Sequence, residues 1–318
     1  MSLRISRKIL SSLGILALGA ASLGMGQPAA AVDWAKVPAK KIMMMYPAQV
    51  SWDRLMTPGR HSGRNKWIAG KNCLACHGNI DEHPLGDSLV HGEKFIEPTP
   101  IEGKPGAVDA QVKVARDAEN LYVRLEFDPL KQPDAGMDKD FETKVTMMLD
   151  DAGVPEMTRA GCWAACHDDV VSMPRGGNEN TKYTFESRKV AESGGIAIKD
   201  AAELEKLKGE GKYLEYWQAR LNPGKKAVAA DGIVLEKRAE NKDPAVKVDA
   251  TQAKGIWTVT FTRKLAGSDG HKALVAGKTY TVGFAIHAGH TAKRFHYVSF
   301  ERTLSIDTGS GDFVAMAN

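Results

Sequence analysis

Hydrophobic and polar residues alternate over several short stretches in the second two-thirds of the chain. Residues 111–116 and 121–127 alternate in this way, and Asp117 to Asn120 lie between them as a turn. Period-two alternation puts the apolar side chains on one face of a strand, so this pair predicts a β-hairpin. Further strands are predicted for an apolar run at 144–149 and for alternating stretches at 256–263, 280–287 and, more loosely, 296–306.

The region between these strands has a different pattern. Glycines punctuate residues 174–222, and two stretches within it, 201–207 and 213–221, suggest short helices. Strands near both ends with irregular material between them predict a mainly β fold. We expect one antiparallel β-sandwich with short helices in a long insertion.

Residues 32–105 lack sustained periodicity and are rich in Pro, Gly, His and Lys. This composition predicts an irregular segment with little apolar core of its own. We therefore divide the chain into a leader (1–31), an irregular segment (32–105) and a β-sandwich domain (106–318).

The leader has the pattern of a secretory signal peptide. Arg4, Arg7 and Lys8 precede an apolar run over residues 9–25, and three alanines at 29–31 offer a cleavage site before Val32. An uncleaved membrane anchor is the alternative, for which the run is a little short. With cleavage, we expect a periplasmic protein without stable membrane insertion.

The charge of the chain excludes some classes of partner. It has 43 basic and 39 acidic residues, a formal net charge of +4. Three of the basic residues belong to the leader, so the remainder is close to neutral. We see no basic stripe for nucleic acid, and a hydrophobic fraction of 43% is ordinary for a globular protein.

The four cysteines fall in two short motifs. The first, Cys73-Leu74-Ala75-Cys76-His77, is the C-x-x-C-H attachment sequence of c-type haem. Its two thiols bond to the haem vinyl groups, and its histidine ligates the iron. Because c-type haem is attached outside the cytoplasm, the motif and the leader support each other. The alternative is a zinc site, which would need a fourth ligand.

The second motif, Cys162-Trp163-Ala164-Ala165-Cys166-His167, has three residues between its cysteines. It keeps the Cys-His step, so we expect a second covalent haem at Cys162 and Cys166 with His167 as an iron ligand. The alternatives are a Cys162–Cys166 disulfide and a non-covalent haem ligated by His167 alone. Two covalent haems would leave no cysteine for a thiol nucleophile.

Each iron either has a second axial ligand or leaves that position open. For the first haem we favour His61, which precedes the motif in a segment that is free to fold back over the haem. The other histidines considered for this position are His83, His91, His287 and His290. Methionine ligation is the competing chemistry, with Met147, Met148 and Met173 near the second motif.

Residues 105–308 resemble the haem-binding domain of the γ subunits of ethylbenzene dehydrogenase and dimethyl-sulfide dehydrogenase. The similar stretches are residues 120–127, 145–150, 257–263, 283–287 and 294–299. The resemblance implies a β-sandwich that holds one haem near its end. In that family, a methionine after the strand matching 144–149 and a lysine on the strand matching 296–300 ligate haem b.

This chain departs from the family at both ligand positions. His167 falls near the place of the methionine, and His296 falls on that of the lysine. The resemblance therefore implies a second haem that is c-type and has two histidine ligands. Since the γ subunits serve a molybdenum enzyme, it also suggests a molybdenum oxidoreductase as a redox partner.

Together these patterns predict a periplasmic dihaem c-type cytochrome that transfers electrons between respiratory redox proteins and needs no catalytic residues. The alternative is a haem enzyme, in which one five-coordinate iron acts on peroxide or on a nitrogen or sulfur oxide. A haem-based sensor is a third class, for which the sequence offers no recognisable signalling domain.

Overall fold

A computed structural model describes residues 32–46, 58–59, 61–82, 99–164, 182–190, 196–268 and 270–317. The leader lies outside them, and Val32–Asn318 form one structural unit. Its helices are α1 (Arg64–Ile68), α2 (Pro155–Ala160) and α3 (Ala201–Gly209), with 3-10 helices at Gly161–Ala164 and Phe185–Ser187. Within the described ranges, none of the helices has the length and apolar character to cross a membrane.

The strands that the structure describes account for most of the regular structure. They are β1 (Ala39–Met45), β2 (Ala107–Arg116), β3 (Asn120–Phe127), β4 (Thr143–Asp150), β5 (Arg188–Val190), β6 (Ile196–Ile198), β7 (Leu214–Leu221), β8 (Val228–Val234), β9 (Arg238–Glu240), β10 (Lys247–Ala253), β11 (Ile256–Lys264), β12 (Thr279–His287), β13 (Tyr297–Val298), β14 (Arg302–Ile306) and β15 (Phe313–Ala315).

Most of these strands belong to one sheet, in the order β10-β11-β3-β2-β1-β13-β12-β4-β7-β8-β9. Neighbours along this path are antiparallel. Strand β14 lies off the path and pairs antiparallel with β12 and parallel with β15. Because β11 contacts β7 and β10 contacts β8, the sheet folds back so that its two halves face each other. The predicted antiparallel β-sandwich is therefore confirmed.

Strand β4 is buried on both of its faces. Val145, Met147 and Leu149 point into the core between the two halves of the sheet. Thr146 and Met148 alternate with them and point to the outer face, yet they are only 4% and 1% exposed. Something else must therefore cover the outer face of this strand.

The cover is a second apolar cluster, which we call the outer cluster. It joins the outer faces of the sheet to α1, α2 and the 3-10 helix that follows α2. Its buried members are Met43, Met45, Trp67, Ile80, Met148, Val154, Met157, Ala160, Cys162, Trp163, Leu214, Tyr216, Val234, Ala285, Val298 and Phe300. Both cysteine motifs lie at this cluster, because Cys73 and Leu74 pack against it as well.

A buried ion pair joins the two halves of the sandwich. Nε and Nη2 of Arg263 on β11 lie 3.0 and 2.9 Å from the two carboxylate oxygens of Glu215 on β7. The same carboxylate accepts hydrogen bonds from Trp217 Nε1 at 2.6 Å and from the Lys272 backbone at 2.7 Å. Four donors compensate the loss of water around this charge.

Two parts of the chain differ from the sequence-based expectation. Residues 201–207 lie in helix α3, as predicted, and Asp200 caps it in a capping box with Glu203. The helix predicted for 213–221 is wrong, because Leu214–Leu221 is strand β7, paired with β4 and β8. This strand is buried on both faces, so it lacks the alternation that identifies a half-exposed strand.

The segment 32–105 also contributes to the sheet. Strand β1 pairs with β2 along its whole length and reaches β13 at Met45. Ile42 and Met44 lie in the core, while Met43 and Met45 lie in the outer cluster. Four consecutive apolar residues carry no period-two signal, and for this reason the sequence pattern did not indicate the strand.

We expect Glu215→Gln to lower the free energy of unfolding by about 3 kcal/mol, because it leaves the buried Arg263 guanidinium without a charged partner. Urea-induced unfolding followed by circular dichroism measures the change. Glu205→Gln on the exposed side of α3 is the matched control, with an expected change below about 0.5 kcal/mol. A loss below about 1 kcal/mol for Glu215→Gln would show that the pair does not hold the two halves together.

Candidate haem sites

Residues 73–77 form a tight turn. The backbone N–H groups of Cys76 and His77 both donate to the carbonyl of Cys73, at 3.0 and 2.9 Å. Cys73 is partly buried, whereas Cys76 is exposed. The turn thus brings the two thiols and the imidazole of the motif close together, as attachment of one haem at two cysteines requires.

Two hydrogen bonds hold this turn against the sandwich. The Cys73 backbone donates to the carbonyl of Arg159 at 2.9 Å, at the end of α2. The Leu74 backbone donates to Oε1 of Glu301 at 2.8 Å. The Arg159 guanidinium in turn covers the Trp67 ring at 4.4 Å. The first motif is therefore held by α2 on one side and by the residue before β14 on the other.

The imidazoles of His61 and His77 lie near each other, with ring centroids 6.4 Å apart and planes at 47°. Metal–imidazole bonds are about 2 Å long, and the ligating nitrogen lies about 1 Å from the ring centre, so two imidazoles on opposite sides of one metal ion have centroids ~6 Å apart. The observed separation fits one iron between these two rings. Burial also lowers the pKa of His77, which favours the neutral, ligating form.

Cys162 lies in the 3-10 helix Gly161–Ala164 and is seated directly on strand β12. A Cβ atom at Gly283 would come within 2.6 Å of the Cys162 nitrogen and 2.8 Å of its Sγ. The backbone N–H of Met148 on β4 donates to the sulfur of Cys162. The start of the second motif therefore lies on the outer face of β4 and β12.

Gly161 is needed for the same close packing. Its φ of 58° is in the left-handed region, and a Cβ there would lie 2.6 Å from the Glu301 nitrogen. Cys166 and His167 lie outside the described residues, so covalent attachment at Cys166, the disulfide alternative and ligation by His167 all stay predictions.

The thiols of Cys73 and Cys162 are poorly suited to nucleophilic chemistry. Burial raises the pKa of the Cys162 thiol to about 11. Burial, and then the nearby Glu301 carboxylate, also raise the pKa of the Cys73 thiol. Since the thiolate is the reactive form, the raised pKa values disfavour both thiols as nucleophiles near neutral pH.

His287 and His296 stack on each other, with ring centroids 4.5 Å apart and planes at 18°. His287 ends strand β12, and its Nε2 lies 3.0 Å from the carbonyl of Lys293. Burial, followed by the charge of Lys144, lowers the pKa of His287 well below its ordinary value. The nearby His290 is engaged elsewhere, because its Nδ1 lies 2.7 Å from the Asp138 carbonyl.

The other candidate ligands are distributed as follows. His83, His91 and Met173 lie outside the described residues. The Met147 side chain lies in the inner core, on the opposite face of β4 from Cys162. The Met148 side chain lies in the outer cluster, on the same face as Cys162.

An aromatic contact joins the two motifs, and the sequence analysis did not identify it. The His77 ring stacks on Phe300 with centroids 5.4 Å apart, and Phe300 lies 5.8 Å from the ring of Trp163. Trp163 directly follows Cys162. One phenylalanine ring thus separates the histidine of the first motif from a residue of the second.

Comparison with known proteins identifies the family. The chain is 35% identical over 298 residues to cytochrome c-552 from Stutzerimonas stutzeri. This alignment covers 90% of the chain and 91% of that protein. It is 31% identical over 289 residues to cytochrome c-551 from Rhodocyclus tenuis, covering 90% and 99%. The chain belongs to the c-type cytochromes. This cytochrome therefore binds haem c covalently and transfers electrons to redox partners.

No family model matches the cytochrome. Among solved structures it is similar to a family 9 carbohydrate-binding module from Caldicellulosiruptor kristjanssonii. The complex with cellotriose has 11% identity and a TM-score of 0.28, covering 65% of this chain and 68% of that one. The complex with glucose has 10% identity and a TM-score of 0.29, covering 65% and 70%.

Glu301 predicts a pH-dependent potential for this cytochrome. Burial raises its pKa to about 7, and its Oε2 has no hydrogen-bond partner among the described residues. As the pH rises through this value, the carboxyl group loses its proton beside the first motif. The added negative charge would favour oxidised iron in a haem attached at this motif, so we expect the midpoint potential of that haem to fall, by an electrostatic free energy of order 1 kcal/mol.

Spectroelectrochemical titration between about pH 6 and pH 8 measures this fall. Glu301→Gln keeps an acceptor for the Leu74 N–H but cannot titrate, so we expect its potential to stay constant over that range. Glu205→Gln is the control and should keep the pH dependence. A wild-type potential that does not change with pH would contradict the assignment.

Gly283→Ala tests the packing of Cys162 on β12. We expect a loss of about 2 kcal/mol in the free energy of unfolding, because the new methyl group meets a backbone nitrogen that cannot move away easily. Gly209→Ala is the matched control, since a Cβ there meets nothing within 4 Å. An unchanged urea midpoint for Gly283→Ala would mean that Cys162 is not held against this strand.

Proposed function

We propose that this chain is a periplasmic dihaem cytochrome, exported by its leader, that carries electrons between respiratory redox proteins. The first haem is attached at Cys73 and Cys76, with His77 and His61 as axial ligands. The second haem is attached at Cys162 and Cys166, with His167 and His296 as axial ligands.

The contact between the two motifs carries this proposal. His77 stacks on Phe300, and Phe300 lies against Trp163, next to Cys162. Haems attached at these motifs would lie side by side, which is the arrangement that electron transfer between them needs. The haem supplies a one-electron iron couple when bound, and the buried rings of Phe300 and Trp163 lie between the described parts of the two motifs.

The geometry at the first motif favours a carrier over an enzyme. The separation of His61 and His77 fits two axial ligands on one iron. An iron with both axial positions filled by protein has no free position for peroxide or for a nitrogen or sulfur oxide. Electron transfer requires no such position.

The proposal also includes a relationship to the haem-binding γ subunits that residues 105–308 resemble. His296 stacks on His287 at the end of β12, beside the outer face that carries Cys162. This position supports His296 as the counterpart of the family's lysine ligand. On the same ground we propose a molybdenum oxidoreductase as one class of redox partner.

Spectra of the oxidised protein test the proposed function. Optical and electron paramagnetic resonance spectra should show low-spin haem only, and mass spectrometry should show two haems on a chain that begins at Val32. A substantial high-spin component that binds cyanide or nitrite would contradict the carrier and favour the enzyme. A single haem would show that the second motif is not an attachment site.

Substitution of the distal histidines tests the ligand assignment. His61→Ala and His296→Ala should each convert one haem to high spin while both haems stay attached, because the thioether bonds do not depend on the distal ligand. His290→Ala is the control and should leave both haems low-spin, since the His290 ring is hydrogen-bonded to the backbone carbonyl of Asp138. If either variant keeps both haems low-spin, the histidine that it replaces is not an iron ligand.

A further inference from the structure

Gly63 connects the proposed distal ligand His61 to helix α1. It is the N-cap residue of this helix, with a φ of −79° and a ψ of 0°. The N–H of Trp67 donates to the Gly63 carbonyl at 2.9 Å, and the N–H of Arg64 donates to the His61 carbonyl at 3.2 Å. These two bonds fix the path of the backbone from His61 into the helix.

Helix α1 is itself anchored to the sandwich. Trp67 is only 5% exposed and belongs to the outer cluster. The Arg159 guanidinium covers its ring at 4.4 Å, and Nη1 of Arg159 donates to the Trp67 carbonyl at 3.0 Å. The Arg159 carbonyl also accepts the Cys73 N–H of the first motif. The start of α1 and the first motif are therefore held by the same residue, which limits movement of Gly63 relative to the motif.

The other proposed axial ligand, His77, is held by contacts that do not involve Gly63. Its ring stacks on Phe300, with centroids 5.4 Å apart and planes at 30°. Its turn is fixed to Glu301 through the Leu74 N–H, at 2.8 Å. The distance between the two imidazoles therefore depends on where the His61 ring lies.

The His61 ring lies directly against the backbone of Gly63. A Cβ at Gly63 would lie 2.7 Å from Cε1, 3.1 Å from Nδ1 and 3.9 Å from Nε2 of His61. Beyond the adjoining residues, these are the three heavy atoms nearest to such a Cβ. A side chain at position 63 would thus meet the imidazole first, in the place where that ring lies 6.4 Å from the ring of His77.

The size of this overlap decides what a side chain would do. Carbon atoms in contact are about 3.5 Å or more apart, so Cε1 would have to move by about 0.8 Å. Cε1 is bonded to both ring nitrogens, and the ligating nitrogen would move with it. Metal–ligand distances stay within about 0.2 Å of their normal values, so the bond to iron would break. The imidazole yields before the anchored backbone does, because it can turn to another rotamer.

We propose that Gly63 is a positioning residue for the first haem, because its missing side chain leaves the space in which the His61 imidazole reaches the iron. The inference rests on the proposed function, since it takes His61 as the axial ligand opposite His77. The backbone itself does not call for glycine here. The φ of Gly63 is negative, so residues with a side chain can adopt it, and a serine or an asparagine would cap the helix better.

Gly63→Ala and Gly63→Ser in the full-length holoprotein test the proposal. We expect each to convert most of the first haem to high spin in optical and electron paramagnetic resonance spectra, with the haem still attached at Cys73 and Cys76. Free imidazole should restore the low-spin spectrum, because it fills the position that His61 has left. The urea midpoint should change little, since alanine lowers the entropy of the unfolded chain and serine favours the start of the helix.

Asn65→Ala, at an exposed position of α1, is the matched control and should keep the low-spin spectrum. Low-spin spectra for both Gly63 variants, with high spin in His61→Ala, would overturn the role of Gly63 and leave the ligand assignment standing. High spin in the alanine variant but not in the serine variant would also overturn it, and would assign Gly63 to the start of the helix. The serine variant decides the question if the alanine variant does not fold. If His61→Ala stays low-spin, the ligand assignment fails and the inference fails with it.

Discussion

The packing of Gly161 and Cys162 against the sheet is the contact on which the position of both cysteine motifs depends. A Cβ at Gly161 would meet the Glu301 backbone, and a Cβ at Gly283 would meet the Cys162 backbone. Both contacts are backbone against backbone, so neither can be relieved by a change of rotamer. This close packing also fixes the position of Arg159, whose carbonyl accepts a hydrogen bond from the Cys73 N–H of the first motif. A contact near the second motif thereby holds the first motif in place.

Strands buried on both faces make this arrangement feasible. In a sandwich with one solvated face, the outer side chains of β4, β7 and β12 would be polar and exposed. Here the inner faces close the sandwich, and the outer faces carry the outer cluster. One set of strands thus stabilises the fold and also supports the described parts of both cysteine motifs.

The same property decides what the sequence could predict. Strand β3 alternates between buried and partly buried side chains along its whole length, and its hairpin with β2 was predicted correctly. Residues 42–45 of β1 and nearly all of β7 are buried on both faces, so their sequences do not alternate and these strands were missed. Burial by distant segments is a tertiary effect, which local periodicity does not report.

The sequence likewise predicted the cysteine motifs but not the distant residues that contact them. The cysteine motifs were recognisable because thioether attachment requires its residues at a short fixed spacing. Glu301 and Phe300 were not, since the partner of Glu301 in the first motif is 227 residues away along the chain. No local pattern marks a carboxylate that will accept from a backbone N–H at such a distance. The contacts of Glu301 and Phe300 with the first motif could therefore be found only in the folded chain.

Glu301 is an ionisable group beside the first motif, and its charge has a consequence for electron transfer between the two proposed haems. With two histidine ligands on each iron, as proposed, ligation alone does not distinguish the two potentials. Glu301 places a negative charge beside the first motif once it is deprotonated, which favours oxidised iron there. If both motifs carry haem, as proposed, deprotonation of Glu301 would lower the potential of the first haem relative to the second. Electrons on the first haem would then pass more readily to the second as the pH rises through about 7.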